Sequence, residues 1–176
     1  MPAKASLEAI KRLREKTGAP VGAVRKALEA AGGDEPKALV ILKQQGAQLA
    51  DKRQDRATNQ GRVEAYVHHN AQMGALVEIG CETDFVARTT DFVQLCKDLA
   101  LHVAATGPKY LRPDDVPADA GLSEADRQAL CLLEQPFVKD QSHSVGDLLK
   151  MLTGKTSEKI IIKRFAKFAV GEAAAS

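Results

Sequence analysis

The spacing of apolar residues changes at Gly61, and no single regular element accommodates both spacings. Upstream, Leu7, Ile10 and Leu13 recur at helical intervals behind Ser6, a ready N-cap, and Thr17-Gly18-Ala19-Pro20 ends the segment. Val21, Val24, Ala27, Leu28 and Ala31 form a second stripe closed by Gly32-Gly33. Asp34 caps a third, which carries Ala38, Leu39 and Leu42 and which Gly46 is expected to stop. Residues 1–47 therefore read as a small three-helix bundle.

Residues 48–60 (QLADKRQDRATNQ) are nearly devoid of apolar side chains and read as a polar linker or a solvated helix at a domain boundary. From Gly61 the period is two. Val63, Ala65 and Val67 alternate with Glu64 and Tyr66; Ala75, Val77, Ile79 and Cys81 alternate with Leu76, Glu78 and Gly80; and His69–Gln72 supplies a short hairpin loop. Phe92, Leu95, Cys96, Leu99, Ala100 and Val103 then mark a strong helix ended by Gly107-Pro108. Arg112–Leu122 is loop, and Ser123 and Ser144 open two further helices, each with Asp three residues on. Lys159–Val170 is β-branched and aromatic, the mark of a closing strand. Residues 61–176 are thus expected to form an α+β core, an antiparallel three-stranded sheet packed with helices.

A chain of 176 residues is long enough to bury a core without covalent staples. It contains no run of 18 apolar residues, and no secretory signal is expected because Met1–Leu13 carries lysine and arginine without an apolar core. Cys81, Cys96 and Cys131 are odd in number and fit neither a disulfide framework nor a CxxC metal site, which points to a reducing, cytoplasmic compartment. The net charge of +2 conceals an asymmetry. Residues 1–56 hold twelve Lys/Arg against seven Asp/Glu, whereas the remainder holds thirteen against sixteen. Neither part is basic enough for strong phosphate-backbone binding, and 4% aromatic residues with no Trp do not make a base-stacking platform. A ribosome- or RNA-associated module using the basic end is the alternative that this asymmetry keeps open.

Several catalytic-looking features have plainer readings. Gly154-Lys155-Thr156 resembles the end of a phosphate loop, but Leu149 stands where that motif requires glycine. Adjacent His68 and His69 are expected on opposite faces of a strand, where they do not easily share a metal, and read as a solvated pair at a strand end. No Ser or Cys has a nucleophile's surroundings and no Asp/Glu cluster suggests an acid–base pair, so neither an enzyme, a cofactor nor a resident metal is expected.

The tetrapeptide TDFV occurs twice, seven residues apart, within CETDFVARTTDFV (Cys81–Val93). In the second copy Thr90 is expected to cap the helix, Asp91 suits the positive end of its dipole, and Phe92 begins its apolar stripe. The first copy, Thr83-Asp84-Phe85-Val86, falls between strand and cap. Either Phe85 tucks beneath the helix with Asp84 facing water, or Phe85 is presented outward.

CETDFVAR resembles the signature of the elongation factor Ts family, nucleotide-exchange factors for the translational GTPase EF-Tu. LREKTGAPVGAVRKAL (Leu13–Leu28), YVHHNAQMGALVEI (Tyr66–Ile79), LLEQPFVKD (Leu132–Asp140) and RFAKFAVGE (Arg164–Glu172) resemble further family blocks in the family's order. The resemblance implies an amino-terminal ubiquitin-associated (UBA)-like three-helix domain ahead of the sheet-and-helix core. It implies that this segment is a loop from which Asp84 and Phe85 enter EF-Tu near its magnesium and phosphate site, with Thr83 and Val86 shaping the loop. By the same resemblance Arg14, Val21 and Arg25 contact the GTP-binding domain, although Val21-Gly22-Ala23 departs from the family's usual two Met and an Asp. It further implies a homodimer through the core, and work in the cytoplasm or in an organelle with bacterial-type translation; neither membrane nor direct nucleic-acid partners are implied. Only about 20 residues (112–131) precede the LLEQPFVKD block, fewer than the family commonly carries.

Overall fold

The computed structural model describes residues 5–118 and 120–172. In chain order the elements are α1 (Leu7–Thr17), α2 (Val21–Ala30), α3 (Glu35–Lys52), β1 (Gln60–Val67), β2 (Met73–Cys81), α4 (Asp84–Ala87), α5 (Thr90–Thr106), a 3-10 turn (Pro113–Asp115), α6 (Glu124–Leu130), β3 (Pro136–Phe137), β4 (Asp140–Ser144), α7 (Val145–Thr156) and β5 (Ile161–Ala169). The fold is α+β. The chain divides into two compact units, one comprising residues up to Arg56 with Leu149–Lys159, the other Ala57–Leu148 with the chain from Ile160.

In the first unit α1, α2 and α3 enclose Ala9, Leu13, Val24, Ala27, Leu28, Ala38 and Leu42. These side chains recur three or four apart because that spacing lines one side of a helix. The ends are fixed by local chemistry. Ser6 Oγ accepts the Ala9 amide at 3.1 Å, Asp34 Oδ1 accepts that of Lys37 at 2.9 Å, and the Gly18 amide returns to the Arg14 carbonyl at 2.7 Å.

Gly46, expected to end the third helix, instead lies buried inside α3, which continues to Lys52. A Cβ at Gly46 would stand 3.3 Å from the Lys150 carbonyl oxygen, and one at Gly154 would stand 3.7 Å from the Gly46 Cα. The two glycines are therefore used for close backbone approach rather than for chain reversal. The first five residues of the segment read as linker or solvated helix are the end of α3, and Lys159 Nζ donates to the Gln54 and Arg56 carbonyls beyond it.

In the second unit β1, β2 and β5 form an antiparallel sheet in that order, with Gln60 opposite Cys81, Val67 opposite Gly74, and Met73 opposite Ala169. A side chain at Gly61 would collide with the Ile79 carbonyl, so only glycine fits where the ladder starts. The expected alternation is present on β2: Ala75, Val77, Ile79 and Cys81 are buried together with Phe92, Cys96, Leu99, Ala100 and Val103 of α5. On β1 the apolar set, Val63 and Val67, faces outward with Leu76 of β2 and Phe168 of β5, and among the described residues nothing covers these four side chains. Glu78 interrupts this apolar side, paired with Arg164 at 2.6 Å and Lys163 at 3.6 Å.

The short ribbon of β3 and β4 has no counterpart in the sequence reading. Its reason lies in side-chain chemistry on α5. His102, fully buried, accepts the Val138 amide on Nδ1 at 3.2 Å, so its proton resides on Nε2, which donates to Gln135 Oε1 at 3.0 Å. Thr106 Oγ1 donates to the same oxygen at 2.9 Å, and Gln135 Nε2 donates to the Ala129 carbonyl at 2.6 Å. Phe137 lies against the imidazole with ring centroids 5.9 Å apart, and Lys139 pairs with Asp98 at 2.6 Å. Among the described residues no helix is long and apolar enough to cross a membrane.

Burial holds His102 below the ordinary histidine value of 6.5, against the opposing pull of its bond to Gln135. Stability from the neutral imidazole is therefore complete above that value. It is lost as the pH falls from there through the lower folded-state value, because the unfolded chain takes up the proton first. Urea unfolding between pH 7.5 and pH 5 should show a greater loss of stability for this chain than for a His102→Gln variant.

Candidate functional site

The site is built where two buried elements meet the surface. Strand β2 ends at Cys81 and helix α5 begins at Thr90, both ends held by core residues, and α4 is a single helical turn between them. That turn replaces the loop expected for the first TDFV. Thr83 is its N-cap, with Oγ1 accepting the Val86 amide at 3.4 Å, while the Cys81 thiol donates to the Thr83 carbonyl at 3.1 Å. Arg88, at its carboxyl end, reaches back to Asp84 at 3.1 Å.

Within this turn Phe85 is 80% exposed, whereas Phe92 is 0% exposed. The second copy differs from expectation in its cap, which is Thr89 and not Thr90: Thr89 Oγ1 accepts the Phe92 amide at 3.3 Å. Thr89 Oγ1 also donates to the Val86 carbonyl at 2.8 Å, so one hydroxyl serves the end of α4 and the start of α5. Nothing in the sequence distinguishes Thr89 from Thr90 as a cap; the depth at which Phe92 is buried does.

Thr83, Asp84, Phe85 and Val86 are thus gathered in one braced turn. Arg14, Val21 and Arg25 belong to the other unit, where all three are exposed, Arg14 on α1 and the others on α2. Arg25 lies 3.8 Å from Glu29 one turn on, and a side chain at Gly22 would meet nothing within 4 Å. The surface around Val21 is open.

The features set aside in the sequence have structural accounts. Gly154 is part of the close approach to Gly46, and the Lys155 side chain lies over Gly18 at the carboxyl end of α1, where a cation meets the negative end of the helix dipole. His68 and His69 do not point apart as expected. They follow the end of β1, with rings 4.2 Å apart, and Tyr66 Oη lies 3.0 Å from His68 Nδ1. No group of three or more His, Cys, Asp or Glu able to hold a metal occurs among the described residues. Cys81, Cys96 and Cys131 are buried and in no disulfide among the described residues, and burial pushes the Cys96 thiol up to about 12, far from a thiolate nucleophile.

A sequence profile described as Elongation factor TS matches residues 41–128. The chain is 41% identical over 189 residues to elongation factor Ts of Rubrobacter xylanophilus, an alignment covering 92% of this chain and 97% of the relative. It is 40% identical to that of Koribacter versatilis (93% and 87% covered) and 41% identical to that of Thermotoga petrophila (95% and 96% covered). These alignments are longer than the chain's 176 residues, so the relatives carry residues absent here. Such relatives place the chain among the translation elongation factors. It belongs to the elongation factor Ts family.

The two phenylalanines of the repeat make opposite predictions. Phe92→Ala should lower unfolding free energy by about 3–5 kcal/mol, the usual result of emptying a buried aromatic site. Phe85→Ala should change it by less than about 0.5 kcal/mol. Chemical denaturation of both variants measures the difference.

Proposed function

We propose that this chain accelerates GDP release from EF-Tu by inserting the α4 turn beside the GTPase's magnesium and phosphate site. The observation that carries the reading is Phe85, a large apolar side chain left 80% exposed on a turn that is capped and ion-paired. An apolar group held in water is stabilised when a partner covers it, so the turn gains most by binding. Family membership supplies the partner's identity.

The mechanism is linkage. If the chain binds nucleotide-free EF-Tu more tightly than the GDP form, GDP must bind the complex more weakly by the same factor. Phe85 acts as a wedge against elements beside the nucleotide, and Asp84 brings negative charge towards the magnesium that neutralises the phosphates. Thr83 and Val86 set the turn. No covalent bond is made or broken, which separates this activity from enzymatic catalysis.

Arg14, Val21 and Arg25 make a second contact, to the GTP-binding domain. Gly22, with open space where a side chain would stand, adds nothing apolar there, so this contact is weaker than the family's usual one. A homodimer through the core is supported by the uncovered apolar side of the β1–β2–β5 sheet, where Phe168 is 69% exposed. The protein would work wherever its GTPase does, in a bacterial-type cytoplasm or the equivalent organelle compartment.

The deciding measurement is release of a fluorescent GDP analogue from EF-Tu. This chain should accelerate it strongly and the folded Phe85→Ala variant much less; equal acceleration by both would remove the turn from the mechanism. Separately, Phe168→Glu should convert a dimer to a monomer in light scattering, whereas an unchanged mass would place any interface elsewhere.

A further inference from the structure

We propose that Thr89 is a positioning residue for exchange, holding the α4 turn in its docking geometry through a hydroxyl shared with the core. This rests on the reading of α4 as the docking turn. Thr89 Oγ1 has one proton to donate and lone pairs to accept with. The proton goes to the Val86 carbonyl at 2.8 Å, and a lone pair receives the Phe92 amide at 3.3 Å. Phe92 is fully buried, so the second bond ties the hydroxyl to a fixed point. The first carries that fixity to Val86, the neighbour of Phe85.

Val86 is gripped from both sides, its amide by Thr83 Oγ1 at 3.4 Å and its carbonyl by the Thr89 hydroxyl and the Thr89 amide, the latter at 3.0 Å. The Arg88–Asp84 pair braces the turn internally but connects it to nothing outside residues 84–88. At the carboxyl end of the turn, the Thr89 side chain makes the link to the buried helix. A four-residue helix has too few internal bonds to hold itself, so its orientation depends on such links.

If Phe85 is presented correctly only part of the time, the apparent affinity for EF-Tu falls by that fraction while the bound complex still releases GDP at its full rate. Three substitutions separate this from a structural role. Thr89→Ser keeps both bonds. Thr89→Asp keeps the acceptor for the Phe92 amide, and so caps α5 as well as threonine does, but offers the Val86 carbonyl no proton. Thr89→Val loses both.

Exchange is measured against factor concentration, with thermal melts alongside. Thr89→Asp should melt like the unmodified chain yet require more protein for half-maximal acceleration, up to about five-fold, the limit set by one lost neutral hydrogen bond, with the plateau rate unchanged. Thr89→Ser should restore the original concentration dependence, and Thr89→Val should be impaired in both exchange and melting. If Thr89→Asp exchanges like the unmodified chain while Phe85→Ala is impaired, the positioning role is wrong and the docking turn stands. A lowered plateau without a shifted midpoint would also overturn it, placing Thr89 after docking. Should Phe85→Ala exchange normally, both readings fall together.

Discussion

The packing of β2 on α5 is the interaction on which the rest of the second unit depends. Val77 and Ile79 meet Phe92, Leu99 and Val103 out of water, and each such side chain contributes on the order of 1.5–3 kcal/mol. The strand stays buried as far as Cys81 and the helix is buried again at Phe92. The chain from 82 to 91 must leave one anchor and return to the other. A single helical turn fits that span, and the same anchors that fix its ends leave Phe85 outside.

The repeated tetrapeptide shows how four identical residues come to opposite fates. Thr83 caps α4, which makes Phe85 the second residue of its helix. The cap of α5 is Thr89, one residue ahead of the tetrapeptide, which makes Phe92 the third. One residue is about 100° of rotation around a helix axis, enough to turn a side chain from solvent to core. The repeat is one pattern in two settings, a short surface turn at α4 and a buried helix at α5.

Much of this was legible because it is local. The stripe of α5, the inner part of that on α2, the buried alternation of β2 and the caps at Ser6, Asp34 and Ser144 follow from spacing and side-chain chemistry within a few residues. Leu7 and Val21, expected on the stripes of α1 and α2, are instead exposed, and α1 buries Ala9 with Leu13. What was not legible depends on distant partners or very short elements. Gly46 looks like a stop until residues 150–154 are seen against it. The β3–β4 ribbon is too short for a periodic signal and is specified by His102, which precedes Gln135 by 33 positions. Alternation on β1 gives the period but not the covered side, and the exposure of Phe85 cannot be derived from a period in a four-residue helix. The family blocks outside the TDF signature now have physical content: LLEQPFVKD contains the glutamine and phenylalanine that lock onto α5.

The place of Gly46 also orders events in time. The three-helix core needs contacts only within the first 42 residues, and local contacts form quickly. The groove at Gly46 receives Lys150 and Gly154, and the carbonyls of Gln54 and Arg56 receive Lys159, all about a hundred residues later in the chain. On a ribosome the amino-terminal helices would therefore close around their core while this flank stayed open, to be filled only after about a hundred further residues had been made. The first unit is begun before the second and closed only after most of the second has been made.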